Sequence, residues 1–169
     1  MSLNDHLAQK KAVILGRWLN TIYESYPPET AVFLRKEKDR FDNPVGYRIS
    51  KGLEGLYGAL LQDMETDQVL ACLDEIIRIR AIQDFAPSQA LAFIFLLKNV
   101  IREELSEEIR AENLEEEVRD LESRIDGLSL MGFDVYSKRR EKLYEVRAQE
   151  IKSRVSVFLR KAGIGGDSL

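Results

Sequence analysis

An unbroken apolar run at residues 90–97 sits inside the stretch PSQALAFIFLLKNVI, residues 87–101, with aromatic side chains at Phe93 and Phe95. A helix that is apolar all round has no solvent face, so other elements must enclose it. Gln89 and Lys98 bound the run, which falls short of the roughly 20 apolar residues that span a bilayer. We read it as the central helix of a soluble helical domain with no membrane span, wrapped by amphipathic segments on either side.

The remaining composition agrees with helix. Leu, Glu, Arg and Ala are abundant, and only 4 of 169 residues are Pro, a balance that favours helix over sheet. No segment shows sustained period-2 alternation. The expected architecture is all-α, one domain over residues 4–162 with a disordered tail at 163–169. The length suffices for a core without staples. A single cysteine, Cys72, excludes an internal disulfide and a cysteine-cluster metal site. The polar start MSLNDHLAQKK is no signal peptide, so a cytoplasmic location is expected. A net charge of -4 argues against a nucleic-acid partner, which calls for a basic face.

Charge is clustered. Residues 103–126 are dominated by acids, among them Glu103, Glu104, Glu107, Glu108, Glu112 and Glu115. Residues 138–161 are dominated by bases, among them Lys138, Arg139, Arg140, Arg147, Lys152 and Arg154. The two segments either attract each other, within or between chains, or are two solvated helix faces.

In chain order, Asn4 or Asp5 caps a first helix with Leu7, Ile14, Trp18 and Ile22 on one face. Tyr26-Pro27-Pro28 stops it. Pro28 opens a short helix over 29–37, with Ala31, Val32, Phe33 and Leu34 as its stripe. Asn43-Pro44 is a strong helix start, followed by Val45, Ile49, Leu53, Leu56 and Leu60 on one face. That helix, 43–61, carries Gly52, Gly55 and Gly58, each costing roughly 1 kcal/mol against alanine. Gly52, Gly55 and Ala59 share a side. Close approach of a neighbouring helix is favoured there over a ligand groove, since glycine serves either.

Thr66 or Asp67 caps the next helix, with Val69, Leu70, Leu73, Ile76 and Ile77 inward and Arg78 and Arg80 available to solvent. Ser106 marks a fresh start after the central helix, with acids at the positive end of the dipole. Leu114, Val118, Leu121, Ile125 and Leu128 then keep a 4-3-4-3 spacing, the seam of a short coiled coil or a helical hairpin. Gly127 and Gly132 mark a kink or bend. A last amphipathic helix follows, carrying Val135, Leu143, Val146, Ile151, Val155, Phe158 and Leu159. Glycines from Gly163 onward end it.

Catalytic constellations lack their parts. His6 is the only histidine, so a Ser-His-Asp or Cys-His pairing would depend on it, and histidine-ligated metal is starved of ligands. His6 reads as a surface residue of the first turn, and Cys72 as a buried rather than reactive thiol. A haem site needs a proximal ligand, and no histidine follows His6. No phosphate loop or dinucleotide fingerprint is present, because the closing glycines follow a helix. No enzyme, metal or cofactor is expected.

Two sets of residues carry a resemblance. Trp18, Tyr26-Pro27, Phe33, Asp39-Arg40-Phe41, Asn43-Pro44-Val45-Gly46 and Leu53 resemble the opening of the RsbRD amino-terminal domain family. Arg124-Ile125-Asp126, Phe133-Asp134-Val135-Tyr136, Arg140-Glu141, Tyr144-Glu145-Val146-Arg147 and Glu150-Ile151-Lys152 resemble its closing segment. The order holds from about Leu7 to Arg154. The resemblance implies a globin-like helical bundle without haem that serves as a sensory module. In RsbR-type proteins such a domain precedes a STAS domain and takes part in stressosome-like partner switching with a serine/threonine kinase. Neither a STAS nor a kinase segment follows here, so a stand-alone member is expected.

The expectation is therefore a non-enzymatic sensory or regulatory bundle, homodimeric, with a protein partner in signalling. Weak ligand-groove candidates are Gly52, Gly55 and Ala59. The alternative is a structural or assembly factor that docks on a partner through charged helix faces.

Overall fold

The computed structural model describes residues 1–36 and 38–164. Glu37, the expected end of the second helix, and residues 165–169 of the expected tail lie outside the described residues. Among the described residues there are eight helices and no strand. None is long and apolar enough to cross a membrane.

The first expected helix is two. α1 (Leu3–Gln9) is capped by Ser2 through a reciprocal capping box with Asp5, rather than by Asn4 or Asp5. The chain then turns at Lys10 into α2 (Lys11–Tyr23). The Lys10 ammonium donates to the Glu104 carbonyl oxygen at 2.8 Å, where a positive charge complements the end of a helix. α3 (Pro28–Lys36) buries Ala31 and Leu34 but leaves Val32 and Phe33 exposed. Four consecutive residues cannot share a face at 100° per residue.

α4 (Pro44–Leu61) starts as the sequence predicts: the Asn43 side chain accepts from the Gly46 amide at 2.9 Å. A Cβ on Gly46 would stand 2.3 Å from the Asn43 amide nitrogen, so glycine there makes room for the cap. α5 (Thr66–Ile82) begins behind Glu65 without a side-chain cap bond, one residue ahead of the expected cap.

α6 (Pro87–Glu104) is the central helix. Ala90, Leu91, Phe93, Ile94 and Leu97 are buried, and the Trp18 indole donates to the Phe93 carbonyl oxygen at 2.7 Å. Enclosure is incomplete, however, and the expectation of burial on every side is corrected here. Phe95 and Leu96 are 52% and 37% exposed, because α2 and α8 cover two flanks and none of the described residues covers the outer one.

After α7 (Ser106–Glu112), Asn113 takes a left-handed conformation and turns the chain into α8 (Glu115–Lys161). This 47-residue helix, about 70 Å long at 1.5 Å per residue, runs unbroken through Gly127 and Gly132. Gly132 is a packing site rather than a bend: its missing Cβ would meet Ile94 Cδ1 at 2.7 Å. The 4-3-4-3 seam from Leu114 to Leu128 is buried against the core of the chain and runs into one continuous helix.

The most extensive packing joins α4 to α5, α5 to α8, α8 to α6 and α6 to α2, and α2 returns to α4. Five helices thus close a ring around Trp18, Leu56, Tyr57, Leu73, Ile76, Ile94 and Ile125. Buried polar groups tie it. Tyr57 donates to the Leu7 carbonyl at 2.8 Å and Tyr136 to that of Phe85 at 2.8 Å, and from the surface Arg124 donates to that of Leu60 at 2.7 Å. Burial pushes the Tyr57 hydroxyl pKa well above its ordinary range.

Candidate functional site

The glycine side of α4 faces α5. A Cβ on Gly52 would stand 2.7 Å from Ile76 Cγ1 and 3.1 Å from the Cys72 carbonyl oxygen; one on Gly55 would stand 2.4 Å from Cys72 Sγ. These glycines serve close helix packing, the favoured reading. Ala59 lies half-buried at the edge of the same core. Gly58 meets nothing within 4 Å.

Beside the α4–α5 contact, an open groove of about 560 Å³ runs over Gly52 and Cys72. Phe41, Pro44, Tyr47 and Ala71 give it apolar walls, and Arg40, Arg48 and Lys51 set cations at its margin against one acid, Glu75. The guanidinium of Arg40 stacks 4.6 Å from the Phe41 ring centre. Lys51 pairs with Glu54 at 3.2 Å, whereas Arg48 has no ion pair among the described residues. The Cys72 thiol is half-buried, and burial, with Glu75 adding to it, pushes its pKa up. That makes a poor nucleophile. The groove thus presents apolar walls beside a margin with more cations than acids.

α5 separates this groove from α8. Ala71 borders both the first groove and a second one of about 440 Å³, which Val135, Lys138 and Arg139 of α8 line from the far side. Two neighbouring residues of α5 grip opposite partners. Ile76 fills the space over Gly52 of α4, and Ile77 Cδ1 lies 3.4 Å from the point a Cβ would occupy on Gly132 of α8. Arg139 Nε donates to Asp74 Oδ1 at 2.6 Å, and Arg140 donates to the Ala81 carbonyl at 2.8 Å. One helix thickness therefore lies between the groove floor and α8.

Two polar residues sit differently from the sequence reading. Arg80, expected in solvent, is 1% exposed. Its Nε donates to the Ala90 carbonyl at 2.9 Å, its Nη2 to the Gln89 carbonyl and to Ser25 Oγ, and its guanidinium lies 4.4 Å from the Phe85 ring centre. Nη1 has no partner among the described residues. Desolvation lowers the Arg80 pKa. His6, expected at the surface, is buried, with Nε2 3.0 Å from Glu112 Oε1.

Many acids of the acidic segment are paired within the chain, with Lys10 and with residues of α1, α2 and α6. Glu108 pairs with Lys10 at 2.6 Å, Glu104 with Arg17 at 3.0 Å, Glu122 with Arg102 at 2.6 Å, and Asp126 with Lys98. From the basic segment, Arg139 and Arg140 alone are paired among the described residues, with Asp74 and Asp84. Among the described residues no group of three or more His, Cys, Asp or Glu side chains is placed to hold a metal.

Sequence reading missed the outer apolar face, where Phe95, Leu96 and Phe133 border a hollow of about 430 Å³ and Leu130 is 73% exposed. The available signal was the i, i+3 pair Leu130 and Phe133, out of step with the buried Leu128 and Gly132.

Comparison with curated proteins and with solved structures returns no match. The profile of the family described as RsbT co-antagonist protein rsbRD N-terminal domain, by contrast, matches residues 12–151. That span takes in the groove, the α5 layer and most of α8, and on it the chain belongs to the RsbRD N-terminal domain family.

Proposed function

We propose that this chain is a non-enzymatic sensory module of the cytoplasm, in which a small organic anion seated between α4 and α5 alters the packing of α5 and thereby moves α8. The observation that carries this is the placement of Ile76 and Ile77 against glycines of two different helices, Gly52 and Gly132. Close-packed interiors transmit displacement rather than absorb it. A ligand that bound both arrangements equally would shift nothing, so the anion must favour one spacing of α4 from α5. Family membership supports the regulatory role, and the family resemblance supports a globin-like arrangement without haem.

The module acts as a homodimer in this reading. Phe95, Leu96 and Phe133 border one exposed apolar hollow, the kind of patch that marks an association surface, and Leu130 is exposed one turn from Phe133 on α8.

Titration of isotope-labelled protein with benzoate and hexanoate, followed by amide chemical shifts, tests the sensing half. Shifts are expected at Tyr47, Lys51 and Ala71 and also across α5 at Val135 and Arg139. Shifts confined to the groove, or none, would remove the coupling or the ligand.

A further inference from the structure

Past Arg140 the last helix leaves the body of the protein. Tyr144, Ile151, Val155 and Phe158 are 53%, 62%, 50% and 69% exposed, and Ala148 is exposed with them. These five positions keep a 4-3-4-3 spacing, the period of a coiled-coil seam. The seam differs from the buried one at Leu114–Leu128 and has no partner among the described residues.

The flanks of this seam decide what covers it. With Tyr144, Ile151 and Phe158 at d and Ala148 and Val155 at a, one flank carries Arg147, Arg154 and Lys161, and the other Glu145, Lys152 and Leu159. None of Arg147, Lys152, Arg154 and Lys161 has an ion pair among the described residues. Over residues 138–161 nine basic side chains stand against three acidic ones. Flanking charges choose the partner in a coiled coil. A second copy running parallel would set Arg147 against Lys152, and an antiparallel copy would set the Arg147, Arg154 and Lys161 flank against itself. Both arrangements place like charges together.

We infer that the projecting part of α8 is a docking surface for a helix of another protein, one with an apolar seam flanked by glutamates or aspartates. This goes beyond the sensory reading and does not depend on the groove or on the dimer face, since neither includes these residues.

The test uses the full chain and two designed four-heptad peptides with identical Leu and Ile seams, one with Glu and one with Lys at every flanking position, read by fluorescence anisotropy. The Glu peptide is expected to bind at least about tenfold more tightly than the Lys peptide, and to weaken as salt rises from about 50 to about 500 mM. Ile151→Asp combined with Phe158→Asp, both at exposed positions, abolishes binding without altering the circular dichroism of the body. Arg147→Glu with Lys152→Glu and Arg154→Glu reverses the preference toward the Lys peptide. Equal binding of both peptides, or of neither, overturns the inference. So does sedimentation showing that Ile151→Asp separates a dimer, which would assign the seam to a second copy. Partition onto phosphatidylglycerol vesicles in preference to the Glu peptide would overturn it in favour of a lipid surface.

Discussion

Ile76 of α5 occupies the space that a side chain on Gly52 of α4 would need, with 2.7 Å between its Cγ1 and the missing Cβ. Gly58, six residues along the same helix, has nothing within 4 Å of its own missing Cβ. The two glycines should therefore respond in opposite directions. Gly52→Leu overpacks the contact and lowers stability by about 1–3 kcal/mol. Gly58→Ala gains about 1 kcal/mol from helix propensity. Urea denaturation of both variants checks this, and equal responses would mean that Gly52 is not held by packing.

Arg80 makes three hydrogen bonds to α6 and to Ser25 beneath the Phe85 ring. Arg80→Ala is expected to cost about 2–3 kcal/mol at roughly 1 kcal/mol per bond. Lysine cannot replace the planar fork, so Arg80→Lys rescues little. Arg78, partly exposed and paired with Glu75 one turn away, should lose no more than about 0.5 kcal/mol on conversion to Ala. Chemical denaturation separates the two; similar losses would contradict the placement of Arg80.

Acid sensitivity follows from Arg102. Its Nε and Nη2 donate to the two carboxylate oxygens of Glu122 at 2.6 and 3.0 Å, and that bond holds the Glu122 pKa below its ordinary 4.5. A carboxylate depressed in the fold contributes stability that is complete above its unfolded pKa and is lost as pH falls through its folded one. The urea midpoint should thus fall as pH drops below about 4.5. Arg102→Met should lower the midpoint near pH 7 and narrow its gap from the wild type toward about pH 3. A constant gap across that range would show that the pair is not the source.

The outer face of α6 and α8 gives a prediction about assembly. Light scattering at high concentration should report a dimer for the wild-type chain and a monomer for Phe133→Asp. Phe95→Asp should act the same way from the neighbouring helix. A monomeric wild type, or a dimer that survives both changes, would remove this face as the contact.

Much of this fold is written in local chemistry. Asn43 and Pro44 announce the start of α4 because a capping side chain and a preset φ act within a few residues. The seam from Leu114 to Leu128 is equally visible from its spacing. What spacing cannot show is which covering element arrives. Phe95 and Leu96 read as buried because their run is apolar throughout, yet no helix among the described residues covers that side. Arg80 reads as a surface cation, yet carbonyls of α6, ten residues on, draw it inside. Gly132 reads as a break, whereas the nearness of Ile94 and Ile77, known only from tertiary structure, makes it a contact. The candidate groove was half legible: Gly52 lines it as the sequence suggested, whereas Gly55 and Ala59 do not, and Arg40, Tyr47 and Arg48 come to its margin only when α4 is set against α5.

The central claim is that α5 carries displacement from its α4 side to α8. Spin labels at Glu107 on α7 and Glu150 on α8, both exposed, in a Cys72→Ala background, would report the position of the last helix by electron–electron double resonance. Gly52→Leu drives a wedge against Ile76 on the side of α5 remote from α8, and the account predicts a shifted distance distribution between the labels. An unchanged distribution in a folded Gly52→Leu variant would contradict it.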